Sequence, residues 1–498
     1  MGLQPSARGC QRQRELFYCR RRYLYRFLRA LYRGIIKRNR IGRKTNSEQR
    51  SVSTDGPQFT PERLRPALTY IEGYWRRLEK FNPHDDGTLI GLPRPYFVPS
   101  VNTGAGHQFE EIYYWDSFFT AQGFLGTHRE HLIEGLVDDL MTLHRRFRII
   151  PNSGRMYHTG RSQPPFLTSF IMMVYRIERD KRWLQQAMST AKDEYRTVWM
   201  GSTHPNWRQV FNGLSRYYDI NVLDDLAEAE SGWDMTTRFE RKALSYLPVD
   251  LNALLYKYER DFEEAAKILG DREEASEWAK RATARKAMMQ KYMWDEEKGC
   301  YFDYNFMTSK RSPVYSLAAF FPMWVGMDDA ETAARMMETL DKFEFDGGLV
   351  TTARKPLVHS ALPPQWAFPN GWAPLHLVAV EGMERYGFHE AAERIARKWI
   401  NANLVRFEDT GDFFEKYNVV DIHDEPADGV YPLHVGFGWT NAVFVRFCQK
   451  YLRPHEIPEI EAVGVQHPLK QLVQNPRKTL RRVGVRLNEA VPKDFRSK

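Results

Sequence analysis

From about residue 61 the sequence repeats one pattern, in which an amphipathic helical segment is followed by a loop rich in Gly, Pro, Asn and Trp. Apolar residues recur three and four positions apart in these segments, the spacing that gives a helix one buried face. The clearest segments are residues 65–81, 130–147, 164–180, 261–294 and 389–405. Alternating strand patterns are few, and the best of them, KGCYFDYN at 298–305, predicts a small hairpin rather than a large sheet. The sequence therefore predicts an all-α fold.

The spacing of these segments also indicates how they are arranged. Paired helices that return roughly every 50 to 60 residues are typical of an array of helical hairpins. Closing such hairpins into one ring of six gives an (α/α)6 toroid, whereas an open array gives a superhelix. Periodicity alone does not separate the two arrangements, and a chain of 498 residues can bury a large core in either.

The positive charge of the chain is concentrated at its N-terminus. Residues 1–50 carry 15 Lys or Arg and two acidic residues, whereas the other 448 carry 57 basic and 61 acidic residues. The net charge of +9 thus belongs to an extension, and the composition of the remaining chain gives no electrostatic argument for nucleic-acid binding. We predict a basic extension with a linker over 1–60, one helical domain over 61–452, and a basic tail with prolines over 453–498.

Within the extension, one segment has the pattern of a basic amphipathic helix. Apolar residues at helical spacing form one stripe and basic residues form a second. These residues are Leu24, Phe27, Leu31 and Ile35 in the first stripe and Arg22, Arg26, Arg29, Arg33 and Lys37 in the second. Helices of this kind bind anionic membrane surfaces, but we favour a mobile or peripheral appendage.

The loops between the helical segments have an unusual composition. In a chain with 14% aromatic residues, Trp stands beside Asp, Glu, Asn, Gln or Arg in several loops or helix starts. The segments are NTGAGHQFEEIYYWD (102–116), IIPNSGRMYHTGRSQPP (149–165), LAEAESGWDMTTRF (226–239), QWAFPNGWAP (365–374), FFEKYN (413–418) and GFGWTN (436–441). Aromatic rings stack on the apolar face of a sugar, and the polar groups pair with its hydroxyls. Rigid helices with such loops therefore predict a carbohydrate site.

Two carboxyl groups in these loops suit the cleavage of a glycosidic bond, which needs one protonated and one ionised carboxyl group. Asp234 follows Trp233, and an indole wall would desolvate the carboxyl and favour its protonated form. It is the candidate general acid. Glu415 lies among aromatic residues in the FFEKYN segment and is the candidate general base.

These segments resemble, in the same order along the chain, the trehalase family of glycoside hydrolases. The matching blocks are F-x-E-x-Y-x-W-D at 109–116, P-N with R-x-Y and R-S-Q-P-P at 151–165, S-G-W-D at 231–234, Q-W-x-x-P-x-G-W-x-P at 365–374, E-K-Y at 415–417 and the closing GFGWTN at 436–441. The resemblance runs from about residue 90 to 447. It implies an inverting enzyme whose catalytic domain is an (α/α)6 toroid.

The resemblance assigns roles to individual residues. It implies that Asp234 is the general acid and Glu415 the general base. The implied substrate-binding residues are Phe109, Tyr113, Trp115, Asp116, Asn152, Arg161, Gln163, Gly232 and Trp366. Among these, the polar residues would hold hydroxyls of the glucose being cleaved and the tryptophans would form apolar walls. For Arg155, Trp233, Trp372 and Trp439, a structural role that ties loops together is an equally good interpretation.

The sequence departs from the family pattern at positions that the resemblance places on the side of the leaving group. Gln108 stands where the family has arginine, Ala367 where it has aspartate and Val430 where it has glutamate. A P-R-P-E-S-Y stretch upstream of the acid also has no counterpart. The leading hypothesis is an α,α-trehalase that releases two glucose molecules. The alternative is a hydrolase of another α-glucoside, such as glucosylglycerol or glucosylglycerate.

Two more distant hypotheses remain. One is a catalytically silent carbohydrate-binding protein, against which the presence of both Asp234 and Glu415 argues. The other is a phosphorylase on a similar toroid, where an anion site would replace the carboxylate that Glu415 provides. Hydrolysis by two carboxyl groups needs no metal, and no His, Cys or Asp cluster has ligand spacing. We therefore expect no metal and no other cofactor.

The sequence also allows an expectation about cellular location. No apolar run reaches 18 residues, so no segment is predicted to span a membrane. Arginines interrupt the N-terminal segment, which does not read as a cleavable signal. The four cysteines, at positions 10, 19, 300 and 448, have no spacing that predicts disulfides. We expect a cytoplasmic protein that acts on a small α-glucoside, and its oligomeric state is not predicted.

Overall fold

The first helix shows how this sequence builds its elements. The computed structural model describes residues 58–101, 109–354, 364–427, 429 and 431–458. Thr60 caps the helix that starts at Pro61, because its hydroxyl accepts a hydrogen bond from the main-chain N–H of Arg63 at 3.3 Å. The buried residues of this helix are Leu64, Ala67, Leu68, Ile71, Tyr74, Trp75 and Leu78. Their spacing places them on one face.

The described residues form helices with the following bounds. They are α1 (Pro61–Leu78), α2 (Tyr114–Gln122), α3 (Ile133–Phe147), α4 (Leu167–Glu178), α5 (Lys181–Glu194), α6 (Asp224–Glu230), α7 (Val249–Leu269), α8 (Arg272–Tyr292), α9 (Phe321–Trp324), α10 (Ala330–Met337), α11 (Ala373–Arg385), α12 (His389–Thr410) and α13 (Gly438–Tyr451).

The helices form an inner and an outer ring. The inner ring is α2, α4, α7, α9, α11 and α13, in which successive helices pack together. The outer ring is α1, α3, α5, α8, α10 and α12. All nine residues of α2 are buried, whereas outer helices such as α10 bury only one face. The ring is closed because α2 packs against α13. This contact confirms the predicted toroid and excludes the open superhelix.

The strands are short and lie in the connections. They are β1 (Glu79–Lys80), β2 (Tyr96–Phe97), β3 (Gln209–Phe211), β4 (Leu214–Ser215), β5 (Tyr246–Leu247), β6 (Trp294–Asp295), β7 (Cys300–Tyr301), β8 (Tyr304–Asn305), β9 (Lys310–Arg311), β10 (Glu344–Phe345), β11 (Gly348–Leu349), β12 (Asn370–Trp372) and β13 (Lys416–Asn418). Within the described residues, every pairing between these strands is antiparallel and the largest sheet has three strands, β5, β8 and β9. Residues 298–305 thus contribute β7 and β8 to two different small sheets, which confirms that they belong to no large sheet. The prediction that they form a hairpin was wrong, because β7 pairs with β6 and β8 pairs with β5 and β9.

One helical prediction was wrong in its extent. Residues 261–294 were predicted as one segment, but α7 ends at Leu269 and α8 begins at Arg272. Gly270 has φ +91°, a conformation that ends a helix. Asp271 then caps α8, accepting a hydrogen bond from the N–H of Glu274 at 2.9 Å. The break allows α8 to pack back along α7 as a hairpin.

Some of the predictions lie outside the described residues. The basic amphipathic segment at 22–37 is among them, as are nearly all of the 1–60 extension and most of the 453–498 tail. The bounds of these regions therefore stay predictions. Cys300 and Cys448 are free and buried. Among the described helices, none is both long and apolar enough to cross a membrane.

Candidate active site

Loops that are distant in the sequence are joined to one another by main-chain pairing. β12 pairs with β13, which puts Trp372 opposite Lys416. Isolated bridges join Tyr113 with Ser153, Thr236 with Trp366, and Phe414 with Val435. The loops that the sequence marked as unusual are therefore held together as one group above the helical ring.

These loops enclose a cavity of about 290 Å³. Every residue predicted to act in catalysis or to bind the cleaved sugar contributes to its wall. These residues are Phe109, Tyr113, Trp115, Asp116, Asn152, Arg161, Gln163, Gly232, Asp234, Trp366 and Glu415. The leaving-group predictions differ, because Gln108 and Val430 lie outside the described residues. Ala367 is buried and is not among the residues that line the cavity.

Asp234 is carried by a tight turn that follows α6. Gly232 has φ +74°, and a Cβ atom there would lie 2.5 Å from Cζ2 of Trp115, so the turn rests directly on the indole ring. Glu228 spans the turn by accepting a hydrogen bond from the N–H of Thr236 at 2.6 Å. Glycine at position 232 therefore lets the turn that carries Asp234 approach the wall of the cavity.

A buried ion-pair cluster anchors the far side of this turn. The guanidinium of Arg238 lies 4.2 Å from the ring centre of Trp233. It also pairs with both carboxyl groups beneath it, at 2.8 Å from Asp250 and 2.8 Å from Asp303. All three charged side chains are almost completely buried. The cluster thereby connects the segment that carries Asp234 to the start of α7, an inner helix.

A second buried carboxylate, Glu230, holds the neighbouring loop. It accepts hydrogen bonds from the main-chain N–H groups of Ser162 at 2.7 Å and Tyr218 at 2.6 Å. Arg208 neutralises its charge through a buried ion pair. Ser162 stands between Arg161 and Gln163. Glu230 therefore fixes the segment that carries two of the predicted sugar ligands.

Glu415 lies directly before β13, and both of its carboxylate oxygens have donors. The Tyr431 hydroxyl donates to Oε1 at 2.7 Å, and the Lys416 ammonium lies 3.3 Å from Oε2. The main chain is also fixed, because the N–H of Glu415 donates to the carbonyl of His434 at 3.0 Å and Trp439 Nε1 donates to the Glu415 carbonyl at 3.3 Å. The carboxylate is thus held in one orientation.

The electrostatic setting of the two carboxyl groups differs. Burial raises the pKa of Asp234 to about 7, and the charge of Glu415 adds to the effect, whereas Arg161 and Lys416 oppose it. Burial also raises the pKa of Asp116 well above its usual range, again with a contribution from Glu415 and Asp234. Asp234 is therefore able to hold a proton near neutral pH, as a general acid must.

The polar groups predicted to bind the sugar are positioned by contacts to the main chain and to one another. Gln163 Oε1 accepts a hydrogen bond from the N–H of Trp115 at 3.1 Å, and Asn152 Nδ2 donates to the carbonyl of Ser162 at 3.2 Å. Arg161 pairs with Asp219 at 3.2 Å. Within the described residues, Nε of Arg161 is buried and has no hydrogen-bond partner.

Comparison with known proteins identifies the family. The trehalase family model matches residues 36–230 and 206–452, which is more than half of the chain. The chain belongs to the trehalase family. It is therefore a glycoside hydrolase, and its substrate is an α-glucoside.

Two solved structures illustrate the likeness. Neutral trehalase from Saccharomyces cerevisiae is 29% identical, with a TM-score of 0.64 over 80% of this chain and 82% of that chain. A mannosylglycerate hydrolase from Thermus thermophilus, in complex with Tris and D-glycerate, is 17% identical, with a TM-score of 0.57 over 76% of this chain and 99% of that chain. The second likeness shows the shared helical fold.

Tryptophans form the floor of this trehalase-family site. Trp366 stacks on Trp372 with ring centres 3.7 Å apart and an angle of 5° between the planes. Trp233 also stacks on Trp366, with ring centres 5.7 Å apart, and Trp439 meets Trp366 edge-on at 6.0 Å. Trp233 and Trp372 are not among the lining residues, so they support the floor from behind. Trp439 lines the cavity and also packs in the floor.

Several lining residues of the trehalase-family site were not predicted. They are Pro99, Glu111, Tyr157, His158, Ala229, Tyr431 and Phe437. Glu111 was matched in the first signature, and the structure shows why it matters, since it accepts a hydrogen bond from Tyr113 at 3.0 Å and pairs with Arg155 at 3.1 Å. The contact of Arg155 with Glu111 is of the kind that a structural role implies. Tyr431 lies 16 residues from Glu415 along the chain. The only feature of the sequence that pointed to it was its position close to the closing block GFGWTN at 436–441.

Proposed function

We propose that this chain is an inverting glycoside hydrolase that cleaves α,α-trehalose into two glucose molecules. Asp234 is the general acid and Glu415 is the general base. The observation that carries the proposal is one cavity with two buried carboxyl groups in different settings. The pKa of Asp234 is raised to about 7 by burial, while Glu415 is held by the Lys416 ammonium and the Tyr431 hydroxyl.

The reaction follows from these settings. The protonated carboxyl of Asp234 gives its proton to the glycosidic oxygen as the bond from C1 to that oxygen breaks. Glu415 accepts a proton from a water molecule whose oxygen forms the new bond to C1 from the opposite face. The products are one glucose with inverted configuration and one released alcohol, which for trehalose is the second glucose. Proton exchange with solvent restores both carboxyl groups.

The cavity supports binding of a sugar at the cleavage point. Asn152, Arg161 and Gln163 contribute polar side chains to its wall, and Trp366 supplies a flat apolar surface. A volume of about 290 Å³ lies near the lower end of the range for small-molecule sites, about 300 Å³. These features suit a ligand of one or two sugar rings.

The test is hydrolysis of trehalose by the purified protein, followed by NMR of the first-formed products. Inversion at one glucose predicts α- and β-glucose in equal early amounts. Asp234→Asn and Glu415→Gln should each lower kcat by at least about 10²-fold, because each removes proton transfer in the transition state. Asp225→Asn is the matched control, since Asp225 is an exposed carboxylate just beyond the start of α6 that pairs with Arg241.

The outcomes separate the parts of the proposal. Early release of α-glucose alone would contradict inversion. Full activity of either Asp234→Asn or Glu415→Gln would remove that residue from its role. Failure to cleave trehalose, together with cleavage of another α-glucoside, would leave the catalytic pair in place and change the substrate.

One observation favours that second candidate, an α-glucoside with a different leaving group. Arg161 pairs with Asp219, and the next residues present exposed apolar side chains, at 54% for Ile220, 54% for Val222 and 56% for Leu223. This segment docks beside the site, because the N–H of Ile220 donates to the carbonyl of Gly160 at 3.1 Å. Rates on trehalose, glucosylglycerol, glucosylglycerate, sucrose and kojibiose would decide between the candidates.

A further inference from the structure

The base carboxylate has an unusual neighbour, a buried lysine. The side chain of Lys416 is only 2% exposed. Its ammonium lies 5.1 Å from the ring centre of Trp372 and 5.5 Å from that of Tyr431. Burying an ammonium group is costly unless it is paired. Here it is paired with Oε2 of Glu415 at 3.3 Å and with Oε1 of Gln365 at 3.0 Å.

The contacts of Gln365 extend this pair to the acid segment. Gln365 is fully buried, and its Nε2 group donates to the main-chain carbonyl of Asp234. Hydrogen bonds therefore run from the Glu415 carboxylate through the Lys416 ammonium and the Gln365 amide to the main chain at Asp234. The ammonium meets the carboxylate of the base, whereas the amide meets the acid only at its main chain.

The backbone at position 429 covers this connection. A Cβ atom on Gly429 would collide with Oε1 of Gln365 and lie 3.2 Å from Nζ of Lys416. A side chain at this position would have to displace the ends of the Gln365 and Lys416 side chains. Gln365 and Lys416 are both buried, and removal from water strengthens the electrostatic effect of an ammonium on its neighbours.

Four carboxyl groups, those of Glu111, Asp116, Asp234 and Glu415, line the cavity together with the guanidinium of Arg161. The ammonium of Lys416 does not line it but is bonded to Glu415. Asp116 comes from the start of α2, Asp234 from the turn after α6, and Glu415 from the residue before β13. Arg161 comes from the loop before α4, and Lys416 from β13, while Tyr431 contributes a neutral hydroxyl. Inversion requires that one carboxyl is ionised while another is protonated. A cation bonded to one carboxyl determines which of them is ionised.

We propose that Lys416 is a positioning residue that assigns the two catalytic roles. Its ammonium sets a positive charge against the carboxylate of Glu415, the base, and through Gln365 it fixes the segment that carries Asp234, the acid. The inference rests on the proposed function, since it presumes that Glu415 and Asp234 have those roles. It adds a third residue, which acts through the other two and does not touch the substrate.

The test uses α-D-glucosyl fluoride as the probe, because fluoride leaves with little need for a general acid and the reaction then reports mainly on the base. The pH dependence of kcat/KM is measured for the wild type, Lys416→Met and Gln365→Met. Lys416→Met should move the acidic limb to higher pH by about one unit or more, since an adjacent opposite charge shifts a carboxyl by about that much. Gln365→Met keeps the ammonium, so it should leave the acidic limb on the fluoride in place. On trehalose it should lower kcat, because the main chain at Asp234 loses its hydrogen bond.

The alternative outcomes are distinct. If Lys416→Met only lowers the whole profile and leaves its acidic limb unmoved, the lysine is merely structural and the inference fails. Lys416→Gln serves as a second neutral variant if Lys416→Met does not fold, and Lys416→Arg should restore the limb because it keeps the charge. If Glu415→Gln is fully active on the fluoride, the proposed function fails instead. If Glu415→Gln loses activity but the acidic limb of Lys416→Met does not move, the proposed function stands and only the role of Lys416 is rejected.

Discussion

The position of the turn that carries Asp234 depends on the absence of a Cβ atom at Gly232. Ala at this position would combine a left-handed φ of +74° with a Cβ atom 2.5 Å from the Trp115 ring. We expect Gly232→Ala to lower kcat/KM by about 10-fold or more, because small displacements of catalytic groups have large effects. It should also lower the free energy of unfolding by about 1–3 kcal/mol through overpacking. Steady-state kinetics and urea unfolding measure both quantities.

Gly213→Ala is the matched control for this prediction. Gly213 has φ +81°, and nothing lies within 4 Å of a Cβ atom built there. It isolates the cost of the left-handed conformation, about 1 kcal/mol, from that of the collision. Equal losses in the two variants would show that contact with Trp115 does not matter.

At the scale of single residues, the sequence predicted side chains that belong to linear blocks and missed those defined by contact. Asp234 and Glu415 stand in recognisable segments, and both line the cavity. The partner role of Lys416 was not predicted even though it follows Glu415 directly. Its side chain turns toward Gln365, and that contact depends on the pairing of β12 with β13. Pairing between strands that are over 40 residues apart leaves no local signal.

At the scale of an element, the segment between α6 and α7 depends on its buried cation. Arg238→Met would leave Asp250 and Asp303 buried without a partner charge. Removing one member of a buried ion pair typically lowers the free energy of unfolding by about 3–5 kcal/mol. We expect a loss of this size in chemical denaturation, accompanied by a lower kcat because Trp233 and the turn at Asp234 lose their support.

The same segment offers a control at its surface. Arg241 pairs with Asp225 at 2.8 Å, but both side chains are more than 40% exposed. Arg241→Met should therefore change the free energy of unfolding by less than about 1 kcal/mol. If both variants lose the same stability, burial of the Arg238 cluster is not what anchors this segment.

Helix positions could be predicted from periodicity, but helix ends required local geometry. The segment at 261–294 looked continuous because its apolar and charged residues suit a helix throughout. Gly270 and Asp271 interrupt it, as a positive φ and a capping carboxylate. Their meaning was ambiguous in the sequence, since glycine is also tolerated inside helices. The closure of the ring was likewise beyond periodicity, because it depends on contacts between helices at opposite ends of the domain, α1 and α2 with α12 and α13.

For the whole molecule, buried carboxyl groups make stability depend on pH. Asp139 on α3 is buried, and burial raises its pKa to about 8, while its hydrogen bond from the N–H of Arg94 opposes this. In the unfolded chain an aspartate loses its proton near about pH 4. Between these values the native state binds more protons than the unfolded state, so the free energy of unfolding falls as pH rises from about 4 to about 8.

Asp139→Asn removes this proton linkage. The stability of the variant relative to the wild type should grow across the same pH window, by at most about 1.4 kcal/mol per pH unit. Urea unfolding at pH 5, 6.5 and 8 measures the change. Asp138→Asn is the control, because the carboxylate of Asp138 is partly exposed and pairs with Arg94 at 3.4 Å. A constant difference between Asp139→Asn and the wild type at all three pH values would contradict the prediction.

The contact that closes the ring has a consequence for synthesis on the ribosome. α2 is buried on all sides in the finished toroid, but its partner α13 lies more than 300 residues further along the chain. At roughly 5–20 residues per second, α2 emerges about 15–60 seconds before that partner is made. During this interval the nascent chain exposes the face of α2 that α13 covers in the finished ring, and chaperones have that time in which to shield it.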